Sequence, residues 1–345
     1  MIDLTKILVD SNATLEETIR VFQEGNLRIV LVSNQNKLSG TVTDGDIRRA
    51  LLNGINLNTK VTELMNSEPI FIDQPISRKD AIDLMREKDI FHLPIVNKKH
   101  EIIGIETLYN SSEERKIENP VFILAGGFGT RLYPLTKNTP KPMLKVGGKP
   151  ILFTLIDRLI RQGFNKFYIS THYKSEQIKN YFEDGKRLNI SINYIDEERP
   201  LGTAGSLGLL PKDIENLPIL VINADLLTEI NFIDLLTFHE TSKAFATLCI
   251  KEYDYQIPYG VVKFKDDKFI EITEKPTYSY FINAGIYVFN REVLDQIPVN
   301  QFLNMDELIR KIKNKQKISV FPIHEYWLDI GRPEELHKAK KGINK

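Results

Sequence analysis

The sequence predicts a doubly wound α/β sheet over its last two thirds, preceded by a pair of small α+β repeats. Three observations predict it. From Pro120 onward apolar strand segments alternate with segments of helical period, the first of these strands runs straight into a glycine-rich loop, and the N-terminal third echoes itself at a near-constant offset.

At 345 residues the chain is long enough for two or three domains. Its 42% hydrophobic and 27% charged residues are those of a globular protein able to bury sizeable cores. Lys+Arg and Asp+Glu both number 46, so no basic excess points to a nucleic-acid partner. The single cysteine, Cys249, excludes an intramolecular disulfide and sits in the apolar run AFATLCI, where a buried thiol is expected. No apolar stretch approaches the ~18–20 residues of a membrane span. The N-terminus also lacks a charged segment leading into an apolar one, so no membrane partner and a cytoplasmic location are expected.

The repeat comes first. Asp10-Ser-Asn-Ala-Thr-Leu, followed by Ile19, echoes Asp73-Gln-Pro-Ile-Ser-Arg, followed by Ile82, at an offset of 63; Gly40-Thr-Val-Thr43 echoes Gly104-Ile-Glu-Thr107 at 64. Each copy reads as a polar N-cap, an amphipathic helix (14–24 and 77–88) and two strands (28–33 and 41–43; 92–96 and 102–105). Two copies are too few for a solenoid, so a pair that packs against itself is expected. This pair resembles a tandem CBS-domain module, with one domain over 1–58 and the other over 59–115. The resemblance implies an adenine or guanine nucleotide as ligand, with Asp46 on the ribose and Thr43 on a phosphate, within the pattern Gly40–Thr43–Asp46. In the second copy Asn110 stands where the acid belongs, which leaves at most one good site. The other reading of Thr43 or Asp44 is as the cap of a helix that starts at Asp46 in TDGDIRRALL, and the module would then serve structure or dimerisation.

A polar linker, 111–119, separates the repeats from the remainder at 119–345. There VFILA (121–125) is an apolar run suited to a buried parallel strand. Helix 151–163, strand 166–171, helix 175–185, strand 191–195 and strand 218–224 follow. Ligands of such sheets bind at the carboxyl ends of the strands. The loop there, Leu124-Ala-Gly-Gly-Phe-Gly-Thr-Arg-Leu-Tyr-Pro-Leu-Thr136, brings backbone N–H groups and the forked cation of Arg131 to anionic oxygens. Three rival motifs fail on spacing. A GxGxxG from Gly127 meets Leu132, a Walker A at Gly148-Lys149 meets Pro150, and the zinc HExxH from His324-Glu325 meets Leu328. Lys141 stands between two prolines that restrict its backbone.

LAGGFGTRLYPLT together with PKPM resembles the sugar-1-phosphate nucleotidyltransferases, and the likeness runs through the rest of the chain. It implies the nucleotidyltransferase fold, a Rossmann-like doubly wound mixed sheet. It further implies that Gly126, Gly127, Gly129, Thr130 and Arg131 bind a nucleoside triphosphate and that Lys141 contacts the reacting phosphates. It implies Mg²⁺ on Asp225 and Asp329, either of which read alone is equally a turn residue. The likeness implies a ligand role for Gly202 and Thr203 in a second small-residue loop, Leu201-Gly-Thr-Ala-Gly-Ser206, otherwise a tight turn with a helix start at Thr203. Lys275 is implied to hold the sugar phosphate, and Glu274, Asn283 and the Gly260 backbone its hydroxyls. A CBS pair placed before this half resembles guanylyltransferases acting on glucosamine 1-phosphate, which implies GTP as donor and a homo-oligomer. Mannose, heptose or glucose 1-phosphate with GTP, CTP, UTP or dTTP, or a catalytically inactive nucleotide sensor, are the alternatives.

Overall fold

The computed structural model describes residues 3–25, 27–74, 76–88, 90–108 and 116–342. The chain forms two compact units, Met1–Glu114 and Arg115–Lys345. Asn110 and most of the predicted linker lie outside the described residues.

In the first unit β1 (Leu8–Asp10), α1 (Leu15–Gly25), β2 (Ile29–Asn34), β3 (Lys37–Thr43) and α2 (Asp44–Leu52) form one copy. Its three strands lie in the order β1-β2-β3, the first pair parallel and the second antiparallel. The other copy has α3 (Arg78–Glu87), β4 (His92–Val96) and β5 (Ile102–Thr107), with β4 and β5 antiparallel. Apolar residues at helical spacing seat each helix on its own sheet: Leu15, Val30, Val42 and Ile47 bury one core, and Ala81, Met85 and Leu93 the other.

The second unit continues with β6 (Val121–Leu124), the short pair β7 (Lys145–Val146) and β8 (Lys149–Pro150), α4 (Ile151–Arg161), β9 (Lys166–Thr171), α5 (Ser175–Phe182), β10 (Ser191–Asp196), β11 (Ile219–Asn223), β12 (Leu226–Thr228) and α6 (Phe232–Thr241). It ends with β13 (Ala246–Gln256), β14 (Val261–Lys265), β15 (Lys268–Thr273), β16 (Thr277–Phe289), α7 (Met305–Lys313), β17 (Ile318–Ile323), β18 (Trp327–Asp329) and α8 (Pro333–Gly342). Seven strands make one mixed sheet in the order β10-β9-β6-β11-β16-β13-β17, with β16 antiparallel to both its neighbours. Both faces are covered. Val121 and Ile123 of β6 pack with Leu152, Leu155, Ile178 and Phe232 on one side, while Phe122 joins Leu207, Met305 and Leu308 on the other. That is why the central strands read as unbroken apolar runs. Cys249 is fully buried in the first of these cores.

Candidate functional site

Two strand ends and a small sheet assemble the site. The main chain leaves β11 at Asn223, and Asp225 follows one residue after Ala224, whose N–H donates to Leu124 O at 3.1 Å. Next, β12 pairs antiparallel with β18, setting Leu226 opposite Asp329, and Ile330 N–H donates to Asp225 O at 3.1 Å. This two-stranded patch brings together two carboxylates separated by a hundred residues of sequence.

Lys141 meets them. Its turn (Lys141–Met143) is set by Pro140 and Pro142, and its ammonium bonds Asp225 Oδ2 and lies 3.8 Å from Asp329 Oδ1. Only 12% of the lysine side chain is exposed, and Asp225 Oδ1 and Asp329 Oδ1 are buried without a hydrogen-bond partner. Burial, then the charges of Asp225 and Glu335, push the Asp329 carboxyl above its ordinary range, against the pull of Lys141 and Arg131. Gly331 marks where these groups converge: a β-carbon there would make ordinary contacts with Glu335 Oε2 at 3.4 Å, Asp329 Oδ1 at 3.6 Å and Arg131 Nη1 at 3.7 Å.

The glycine loop lies alongside, and its glycines differ in purpose. Gly129 is left-handed (φ 64°) where the chain turns over Thr136 and Lys141. A β-carbon on Gly126 would strike Glu197 Oε1 at 2.7 Å, whereas one on Gly127 would meet nothing within 4 Å. The protein's own packing therefore does not require glycine at 127, while close approach of a ligand to the backbone would. Thr130 and Arg131 follow on an exposed single turn.

The structure thus draws Arg131, Lys141, Asp225 and Asp329 into one charged cluster beside the loop. Asn283 lies nearby on β16, donating to Tyr287 Oη at 2.6 Å and accepting from Gly285 N–H at 3.1 Å; Gly285 packs on Asn223. Other expected residues sit elsewhere or are differently engaged. Gly260, Glu274 and Lys275 contact one another or their own segment on the exposed β14–β15 arm and make no hydrogen bond to the cluster. Gly202 (φ 78°) is required by packing, since a β-carbon there would come within 2.5 Å of Leu303 O. Thr203 does not start its own helix. Its Oγ1 accepts from Met305 N–H at 2.7 Å, at the start of α7. In the first unit, Thr43 Oγ1 donates to Asp46 Oδ2 at 2.6 Å and Thr43 N–H to the same oxygen at 2.8 Å, a reciprocal cap of α2, which begins at Asp44 rather than at Asp46.

Two residues escaped the sequence. Glu335 carries a third carboxylate to the cluster. Glu197 is buried at the carboxyl end of β10, where Oε1 accepts from Ser170 Oγ and Oε2 from Leu201 N–H at 2.9 Å. A carboxylate between a strand end and a small-residue loop was the one available signal for it.

A mixed, doubly covered sheet with a glycine loop at the end of β6 and a lysine–dicarboxylate cluster beside it defines a nucleotide-handling α/β protein. The sequence profile of the family "Nucleotidyl transferase" matches residues 121–345, and that of the CBS domain matches 3–53 and 61–105. The chain belongs to the nucleotidyl transferase family. It is 34% identical over 228 residues to a mannose-1-phosphate guanylyltransferase of Mycobacterium tuberculosis, covering 64% of this chain and 63% of that protein. It is 33% identical over 221 residues to the mannose-1-phosphate guanylyltransferase catalytic subunit beta of Dictyostelium discoideum, covering 62% and 61%. The matched segment therefore spans about three fifths of these relatives' length. Among solved structures, HddC of Yersinia pseudotuberculosis complexed with GMP-PN superimposes with a TM-score of 0.53 at 28% identity, over 65% of this chain and 99% of that one.

Proposed function

We propose that the protein transfers GMP from GTP to a sugar 1-phosphate, releasing pyrophosphate. The observation that carries this reading is the Lys141 ammonium held beside Asp225 and Asp329 at the strand ends, next to a glycine loop open at Gly127. A sugar phosphate oxygen attacks the α-phosphorus in line; the new P–O bond forms as the bond to the β-phosphate breaks, and pyrophosphate leaves with the electron pair. Both reactants are anions, and two unit charges 4 Å apart repel by ~4 kcal/mol at an effective dielectric of 20. Cations therefore matter more here than a nucleophilic side chain. Lys141 and Arg131 hold phosphate oxygens, and Lys275, on the arm, binds the sugar phosphate. The orphaned Asp225 Oδ1 and Asp329 Oδ1 are hard oxygen donors that fit Mg²⁺, which these two residues would hold and which would offset triphosphate charge when bound. No covalent nucleotidyl-enzyme forms.

Guanine is supported from within the fold by Glu197. A buried carboxylate only accepts hydrogen bonds, and guanine offers N1–H and N2–H₂ donors together along one edge. It is supported from outside by the guanylyltransferase names of the relatives and by the HddC complex. For the sugar we favour glucosamine 1-phosphate, because a CBS pair ahead of this domain resembles the glucosamine-1-phosphate guanylyltransferase of bacterial legionaminic acid biosynthesis. Mannose 1-phosphate is the second reading, favoured by the relatives. The CBS pair would regulate turnover through nucleotide bound near Asp46. A pyrophosphate-release panel, four triphosphates against several sugar 1-phosphates, tests the reading. GTP with glucosamine 1-phosphate should give the highest kcat/KM, and nucleotide binding without pyrophosphate release on any pair would leave a sensor instead.

A further inference from the structure

Three neighbouring strands, β10, β9 and β6, deliver side chains to one place. Strands β9 and β10 run parallel as far as Thr171 and Asp196, and Glu197 N–H donates to Thr171 O at 2.9 Å. The next residues off these two strand ends, His172 and Glu197, therefore stand side by side. The loop that leaves β6 packs on both: a β-carbon on Gly126 would lie 3.5 Å from His172 Cβ and 2.7 Å from Glu197 Oε1. From the same loop Phe128 sets its ring edge-on to His172, with centroids 5.5 Å apart at 90°. Ligands of such a sheet bind at this end.

The hydrogen on the His172 ring is placed by its partner. Nδ1 lies 2.8 Å from the backbone carbonyl oxygen of Glu197. A carbonyl accepts and never donates, so Nδ1 carries the hydrogen, and in the neutral ring Nε2 is left as an acceptor. Among the described residues Nε2 has no hydrogen-bond partner, and the side chain is half-buried. We propose that His172 Nε2 reads the 2-amino group of the donor's guanine, an assignment that rests on GTP being the donor. Guanine presents N1–H and N2–H₂ along one edge. The Glu197 carboxylate can take N1–H and one amine hydrogen as two parallel bonds, which leaves the second amine hydrogen unclaimed. His172 is the residue bonded to position 197 that brings a spare acceptor. Uracil and thymine have no exocyclic amine, so with them this acceptor stays unpaired. Phe128, edge-on, holds the imidazole in its orientation.

The test compares kcat/KM for pyrophosphate release from GTP, ITP and 2′-deoxy-GTP, with the better of glucosamine and mannose 1-phosphate as acceptor. ITP is GTP without the 2-amino group. The full-length wild type should favour GTP over ITP by about tenfold or more, a comparison that needs no variant to fold. His172→Asn keeps an N–H where Nδ1 donates but removes the Nε2 acceptor. It should lose about tenfold or more with GTP and far less with ITP, while the ratio of GTP to 2′-deoxy-GTP holds. His172→Gln returns an amide oxygen to the Nε2 position and should regain part of the GTP:ITP ratio. Equal losses on GTP and ITP would reduce His172 to a support for Glu197, and a collapsed GTP to 2′-deoxy-GTP ratio would move Nε2 to the ribose. Either result overturns the assignment, as does a wild type indifferent to the amine. A wild type that releases no pyrophosphate from GTP, or prefers UTP, CTP or dTTP, would instead sink the donor reading itself, and the assignment with it.

Discussion

Gly126 and Glu197 are packed so closely that any side chain on the glycine would strike the carboxylate, 2.7 Å from Oε1. Glu197 in turn accepts from Ser170 Oγ of β9 and from Leu201 N–H, so β9 and the loop that starts at Leu201 are tied together through one buried acid. Glu197→Gln replaces one acceptor with an N–H₂ donor, which would face another donor. A site that hydrogen-bonds a donor edge rejects a mismatch strongly. kcat/KM for GTP should fall ten- to a hundredfold, an order-of-magnitude reading of one or two charge-assisted bonds, and the GTP:UTP ratio should narrow. An unchanged ratio would remove Glu197 from base recognition.

Lys141→Ala and Asp225→Ala probe the charged cluster. Removing one preorganised charge from a displacement of this kind costs about 10²–10³ in kcat. Each variant should lose at least that in pyrophosphate release while its circular dichroism and melting remain those of a folded protein. Near-normal turnover in either would place the chemistry elsewhere.

Gly202→Ala tests packing rather than chemistry. The new β-carbon needs a strained left-handed backbone and meets Leu303 O at 2.5 Å, so the contact between 201–205 and 301–305 must open. A cost of about 1–3 kcal/mol is expected, or several degrees in the melting of the second unit. An unshifted melt would show that the loop relaxes freely.

His92 gives the first unit a pH dependence. Burial first, then the Arg28 guanidinium, lowers its pKa from 6.5 to about 4, against a hydrogen bond with the Leu27 backbone. The folded unit keeps the ring neutral while the unfolded chain takes up a proton below about 6.5. Stability is therefore whole above that pH and declines between about 6.5 and 4, by about 3 kcal/mol at most. Hydrogen exchange of the β4 amides should accelerate across that window in the wild type and less in His92→Gln. Identical profiles would assign the pH effect to other groups.

Much of the fold is legible because it is local. The runs 121–124 and 166–171 are apolar enough to mark buried strands, and α4 repeats its apolar residues at helical spacing. Ends were less legible. The α5 pattern continues to 185, yet the helix stops at Phe182 because Glu183 (φ 50°) and Gly185 (φ 84°) turn left-handed. At the site, the glycine loop and Lys141 announce themselves by spacing. Glu197 and Glu335 could not, since their positions depend on which distant segments the sheet brings alongside, and neither sits in a periodic pattern. The same limit applies to Gly202 and Thr203, whose partners at 303 and 305 are a hundred residues away.

The cap that joins Thr43 to Asp46 has a consequence for ligand affinity at the CBS pair. Asp46 already spends one oxygen on Thr43, and the other is paired with Arg49. A ribose that claims this carboxylate competes with the first turn of α2, whose cap is worth about 0.5–2 kcal/mol. Each 1.4 kcal/mol forfeited weakens binding tenfold. Occupancy and the integrity of that turn are thereby exchangeable quantities: a ligand that uncaps α2 binds more weakly than its contacts alone suggest and writes its presence into the helix.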